Sequence, residues 1–254
     1  MLNLKSGFLY FLAIKIKIFQ IIKNIYFNTS YYHKQLRSDI PKQVHFFPNP
    51  FLLSSFTNNK NFSYNINEVN LNNFLKDKNY FKTDKNFNNF LWLNLINRKN
   101  EASFIRKIIS EWISKNTKFN NRIWDSTITS QRTISWILNA NIILKGTNIY
   151  FKEIFLKSLI FQINHLKKNY RFEEDSRKKI EMLSAILLSG LVFKEYEENY
   201  NLGIKEIENL VKNFFDSDGF PLSRNPNDLI FFSKYFIFCK EIIRDSQKYI
   251  PEFL

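Results

Sequence analysis

The chain has 254 residues, enough for one large domain with a substantial core, and its 44% apolar and 24% charged residues exclude global disorder. Its five glycines, Gly7, Gly146, Gly190, Gly203 and Gly219, are too far apart to write a dinucleotide fingerprint or a phosphate-cradling loop. Thirty-seven basic residues against 23 acidic give +14, which points to polyanionic partners, although 28 lysines against nine arginines, beside 33 asparagines and 32 isoleucines, equally fit drift toward AT-rich codons.

Residues 1–38 form a first segment, carrying Lys5, Lys15, Lys17, Lys23, Lys34 and Arg37 without an acidic residue. Lys15 and Lys17 interrupt its apolar stretch too early for a membrane-spanning helix, and they also stand where a small-residue signal cleavage site would be needed. A basic amphipathic helix remains, packed on the domain or resting on an anionic membrane surface, with packing preferred. Residues 39–84 then change texture to Asn, Ser and aromatic residues, broken by Pro41, Pro48 and Pro50. HFFPNPFLL and NFSYNIN within this stretch read as short extended pieces or a wrapping arm.

Residues 85–254 have helical periodicity. Apolar stripes run through Phe104, Ile105, Ile108, Ile109, Trp112 and Ile113, with Asn100 as N-cap, then through Ile134, Ile137, Leu138 and Ile142. Further stripes are Ile154 to Ile163, Ile180 to Leu191 (its start favoured by Glu173, Glu174 and Asp175), Ile204 to Phe215 and Leu229 to Ile243. Short loops between such helices predict antiparallel hairpins and an all-α fold.

Chemistry-bearing patterns are sparse. The single Cys239 excludes an internal disulfide and a Cys-x-x-Cys metal site, and His33, His45 and His165 are too scattered for a zinc motif. No metal or cofactor is expected, nor is a nucleic-acid partner, because the lysines are dispersed and no RNA-binding aromatic motif occurs. His165 reads as a neutral or capping histidine. Trp112, Trp124 and Trp136 recur every twelve residues. Trp112 reads as core, while Trp124 and Trp136, near Asp125 and Arg132, are candidates for a polar cleft.

At these residues a resemblance enters. NFLWLNL (89–95), EWI (111–113), IWDSTITSQRTISWIL (123–138) and DSDGFPLSRNP (216–226) occur in this order. The set resembles the N-terminal part of the heparinase II/III family, particularly its alphaproteobacterial branch. Matching positions are Phe90, Trp92, Leu93, Leu95, Trp112, Ile113, Trp124, Arg132, Trp136, Asp218, Gly219, Arg224 and Pro226, and the likeness extends from about residue 40 onward. It implies an incomplete α/α toroid of antiparallel helical hairpins with an irregular arm. It also implies polysaccharide-lyase chemistry, in which a base removes the C5 proton of a uronic acid and the bond at C4 is expelled. The implied partners are an acidic polysaccharide and a separately encoded β-sandwich domain, and the implied location is the cell envelope or periplasm. Without the resemblance, the cytoplasmic face of a membrane is expected.

Trp124, Arg132, Trp136 and Arg224 are the substrate-binding residues this resemblance selects, with arginine forks for carboxylates and indole faces for sugar rings. Packing of the tryptophans and inter-hairpin contacts by the arginines are the competing roles. No catalytic residue is assigned. Where the family has Gly-Gly-His this chain has Gly219, Phe220 and Pro221, and Asp228 stands in the place of a tyrosine. The family's asparagine–histidine pair falls at Arg177 and Lys178, so a non-catalytic helical module binding an acidic glycan or a partner protein is the alternative.

Overall fold

The computed structural model describes residues 2–57, 85–94 and 102–254. The NFSYNIN stretch, Leu95 and the expected N-cap Asn100 lie outside the described residues. The helices are α1 (Leu2–Phe27), α2 (Ser30–Leu36), α3 (Ser54–Thr57), α4 (Lys85–Asn88), α5 (Ala102–Lys115), α6 (Ser126–Leu138), α7 (Ala140–Leu144), α8 (Ile149–Asn169), α9 (Ser176–Val192), α10 (Glu197–Phe214) and α11 (Pro226–Asp245). The described residues contain no strand, only an isolated antiparallel bridge between Phe215 and Pro221. The fold is all-α.

Local chemistry starts the long helices. Asp125, Asn148, Asp175 and Asn225 stand just before α6, α8, α9 and α11, and each side chain accepts a backbone N–H of the first turn. At α11, Pro226 adds a preset φ at the first helical position. One expectation fails at Asn139. The stripe from Ile134 to Ile142 predicts a single helix, yet α6 stops at Leu138 and α7 begins at Ala140. The Ser135 carbonyl accepts both the Asn139 backbone N–H at 3.1 Å and its side-chain amide at 2.8 Å, and this doubly used carbonyl marks the helix end.

Helix α9 is the axis of the packing. Every residue from Ile180 to Val192 is buried, so this helix is covered on all sides, as its near-continuous apolar sequence requires. It packs against α6, α8, α10 and α11, while α8 also packs against α5 and α6. Its contact with α10 is unusually close at two glycines: a Cβ on Gly190 would lie 2.1 Å from Tyr200 N, and one on Gly203 would lie 2.6 Å from Leu187 Cβ.

Residues 38–49 have almost no regular structure and run across the α9–α10 turn. His45 N donates 3.1 Å to Val192 O, and Tyr196 Oη donates 2.6 Å to Asp39 O. Helix α1 departs from the preferred reading of a packed helix. Among the described residues only its end is seated, where Phe27 joins Tyr32 and Leu36 in a small cluster against Phe119 and Phe161.

Because the Gly190 contact is with backbone, no side-chain rearrangement can relieve it. Gly190→Ala is expected to lower stability by about 3 kcal/mol in urea denaturation, whereas Gly7→Ala, with nothing within 4 Å, is expected to be neutral or slightly stabilising.

Candidate functional site

Arg132 is fully buried in the middle of α6. Its Nε donates to Gln162 Oε1 at 2.6 Å, Nη1 donates to the carbonyls of Asn88 and Ile123 at 2.9 and 3.0 Å, and Nη2 donates to Thr129 Oγ1 at 3.2 Å. The guanidinium lies over the Trp112 ring at 4.2 Å and the Trp124 ring at 5.7 Å. No carboxylate pairs with it among the described residues, and burial lowers its pKa well below the usual arginine range.

This geometry corrects the expected role of three residues. Trp124 and Trp136 are 5% and 0% exposed, and Trp136 packs edge-on to Trp112 with ring centroids 5.4 Å apart. Neither indole face nor the Arg132 fork reaches solvent, so all three are core groups rather than sugar contacts. The competing reading of packing and inter-hairpin ties describes them. Arg224 is separate and exposed, at φ +53°, with its guanidinium 2.7 Å from Asp216. Asp216 in turn accepts the backbone N–H of Asp218 and Phe220, so this pair closes the turn before α11.

His165 is also internal. Its Nδ1 lies 2.8 Å from Tyr32 Oη, and its pKa is pushed down to about 3, first by burial and then by Lys23 and Arg132. It is neutral, as expected from its position, and belongs to the seat of α1.

A different polar group gathers at the N-terminal ends of α6, α9 and α11. Asp125 before α6 meets Lys178 of α9 at 3.3 Å, and Arg177 of α9 meets Asp228 of α11 at 2.6 Å. Ser223 donates 2.5 Å to the other Asp228 oxygen. These contacts align the first turns of three helices running in the same direction, so their positive dipole ends share one rim. Asp228 is held below the usual carboxylate range by Ser223 and Arg177.

About one turn further in lies Glu181, 2% exposed. Its Oε1 accepts Tyr235 Oη at 2.5 Å and Gln131 Nε2 at 3.0 Å, and Gln131 accepts Asn89 Nδ2 at 3.2 Å. Burial raises the Glu181 pKa against the lowering effect of Thr127, Tyr235 and Gln131, and burial together with Glu181 raises that of Tyr235. The neighbouring Lys234 ammonium stands 5.0, 5.7 and 5.6 Å from the Phe56, Phe231 and Tyr235 ring centroids. Among the described residues it makes no hydrogen bond or ion pair. Burial lowers its pKa, with Glu181 opposing.

The arrangement offers an acid-side donor, a phenol and a half-buried cation, and Lys234 is the group best suited to receive an anion. Gln131, Glu181, Tyr235 and Lys234 were not expected as site residues. The available signal was a glutamate within the apolar stretch from Ile180 to Leu191, where a charge requires a partner. No group of three or more metal-ligating side chains occurs among the described residues. Comparison of the chain with protein-family models, curated proteins and solved structures finds no match in any of the three.

Two outcomes follow from these burials. Arg132→Met is expected to cost about 3 kcal/mol or more in urea denaturation, because the Gln162 oxygen and two backbone carbonyls lose their donor inside the core. The raised Glu181 pKa means that the folded state holds this proton more tightly than the unfolded chain does. Its contribution is therefore full below the unfolded value of about 4.5 and is lost as pH rises through the folded value. Glu181→Gln keeps an acceptor for Tyr235 without the ionisation, so its melting temperature relative to wild type is expected to rise between pH 4 and pH 8 by a few degrees.

Proposed function

We propose that this chain is the helical part of a heparinase II/III-type architecture, an incomplete α/α toroid, and that it binds an acidic polysaccharide at the rim formed by α6, α9 and α11. The observation that carries the reading is convergence. Arg177, Lys178 and Asp228 are the positions that the sequence resemblance aligns with the family's asparagine, histidine and tyrosine. Although some fifty residues apart in the chain, Arg177 and Asp228 are in direct contact, and Ser223 ties the 216–224 turn to the same point. The alternation of helices packed around α9 supports the toroid, and three adjacent helix N-termini with Lys234 beside them suit a polyanion.

Within this reading the chemistry of the rim is recognition. Lys234 attracts a uronate carboxylate, its apolar surroundings strengthening the attraction relative to water. The hydrogen-bonded Glu181 and Tyr235 stiffen the floor beneath it. β-Elimination on such a glycan would require a proton acceptor that the family places on residues replaced here by Pro221 and Asp228, together with groups from a β-sandwich partner. The Ser223–Asp228–Arg177 contacts favour the non-catalytic alternative, because a carboxylate held below its usual pKa by a hydroxyl and a guanidinium is a weak base. A cell-envelope location accompanies the glycan reading.

Titration calorimetry against alginate, hyaluronan and a heparan-type glycan at near-physiological salt tests it. One of these is expected to bind, and Lys234→Gln is expected to weaken that binding by about tenfold, roughly 1.4 kcal/mol, without a change in melting temperature. The exposed Lys205→Gln variant removes the same charge elsewhere and is expected to leave affinity within about twofold. Equal losses in both variants would mean diffuse attraction to a chain of +14 and would remove the rim site. Release of unsaturated uronate, followed by ultraviolet absorbance, would overturn the non-catalytic alternative.

A further inference from the structure

Helix α1 has 26 residues, about 39 Å of length, and most of its described side chains are exposed. Phe11, Ile14, Ile18, Ile21 and Ile25 recur at alternating intervals of three and four and form one stripe that is 47–66% exposed. The apolar surface does not end there. Leu9, Ile16 and Phe19, on other sides of the helix, are exposed as well. Soluble proteins rarely leave so continuous an apolar surface in water.

The charges on this helix have one sign. Lys15 and Lys17 are exposed beside the stripe, Lys23 follows, and the first acidic residue of the sequence is Asp39. The positive surface continues onto the body. Where the last turn of α1 meets residues 115–123, an open cleft of about 540 Å³ is lined by Asn24, Lys115, Lys118 and Arg122, and among the described residues no carboxylate lines it. Lys115 also pairs with Glu111 at 3.6 Å, while the cleft itself stays cationic and amide-rich.

Two occupants suit an apolar helix of this length. Pairing with a second copy would bury only the stripe, set the lysines of both copies against each other with no acid on the helix to offset them, and leave Leu9, Ile16 and Phe19 in water. An anionic bilayer accepts apolar side chains from a wide arc and pairs its headgroups with the flanking lysines, whose stems reach along the apolar surface. No helix among the described residues is long and apolar enough to cross a membrane. We propose that α1 lies in the surface of an anionic lipid bilayer, with the Lys118–Arg122 cleft facing the headgroups beside it. The seat of α1, Phe27 on Phe119 with ring centroids 4.6 Å apart and Asn28 Nδ2 donating 3.2 Å to Phe119 O, couples helix and cleft into one docking surface.

Co-sedimentation of the full chain with vesicles tests this. The chain is expected to pellet with phosphatidylcholine vesicles containing about one part in three of phosphatidylglycerol and to stay in solution with phosphatidylcholine alone. Phe11→Asp with Ile18→Asp is expected to abolish pelleting, and Lys15→Glu with Lys17→Glu to weaken it about tenfold or more. Melting temperatures should be unchanged, because all four side chains are exposed. Failure to bind anionic vesicles, or binding that survives the two aspartates, overturns the proposal. So does a self-associated chain that the two aspartates render monomeric, an outcome that assigns the helix to a second copy.

Discussion

A buried guanidinium with no counter-ion among the described residues is the constraint on which the beginning of the helical array depends. Taking such a charge out of water costs several kcal/mol, and the cost is tolerable only if its N–H groups find acceptors and the flat faces find a polarisable neighbour. Arg132 places four of its five N–H groups on acceptors from four places in the chain: Gln162 on α8, Thr129 on its own helix, the carbonyl of Asn88 at the end of α4, and the carbonyl of Ile123 in the turn before α6. Asn88 is used a second time, its side chain accepting Trp112 Nε1 at 2.8 Å, while the Trp112 ring covers the guanidinium. Irregular segments that no helix periodicity could hold in place are therefore fixed by the demands of one side chain. Phe90, at φ +57° and fully buried, shows how firmly: an aromatic residue accepts this backbone conformation only where its surroundings dictate it. Its carbonyl accepts Ser135 Oγ at 2.6 Å, and its ring sits among Trp92, Trp112 and Trp136.

The rest of the array depends on α9, and here the polar and apolar requirements are divided along one helix. From Met182 to Val192 it supplies apolar surface to its neighbours, with Ser184 and Ser189 returning their hydroxyls to its own carbonyls and Gly190 admitting α10 at backbone distance. Before that stretch, Arg177 bonds to α11, Lys178 to the cap of α6, and Glu181 to both helices. Parallel dipoles repel side by side, and three helix starts brought together would leave unsatisfied N–H groups and positive potential at one rim. The acidic caps Asp125 and Asp175 and the first-turn Asp228 offset that potential. The polar rim is thus needed for these three helices to run in the same direction, whether or not a ligand binds there.

Much of the fold was legible in sequence because an amphipathic helix carries its own period. The stripes over Phe104–Ile113, Ile154–Ile163, Ile180–Leu191 and Leu229–Ile243 lie on helices, the stripe from Ile204 runs to the helix end at Phe214, and caps such as Asp125 and Asp175 bond to their own first turns. The break at Asn139 was not legible, since it leaves the stripe intact and is marked by a doubly used carbonyl. The candidate site was less legible still. Periodicity shows that Trp124, Trp136 and Arg132 face inward, but not whether inward means a cleft or a packed core. Glu181, Gln131 and Tyr235 lie on three helices some fifty residues apart, and only tertiary packing puts their polar atoms within 3.0 Å of one another in the two contacts that define the cluster.

Charge and site do not coincide in this molecule. Residues 1–170 hold 25 basic and 8 acidic side chains, whereas residues 171–254 hold 12 and 15, so the whole of the surplus belongs to α1, α5, α8 and the stretches between them. The rim is built largely from the balanced part, and its cations other than Lys234 are already paired. Long-range attraction of a polyanion is therefore strongest around α1 and the Lys118–Arg122 cleft, where a bilayer is the proposed partner. Any ligand held at the rim must be held by short-range contacts that salt screens less. If α1 rests on a membrane, the basic surface is neutralised by headgroups and withdrawn from competition, and a glycan then meets the rim without the diffuse field that obscures its specificity in solution. The two proposed surfaces are in this sense complementary: occupation of the first would leave Lys234 as the dominant cation presented to the second.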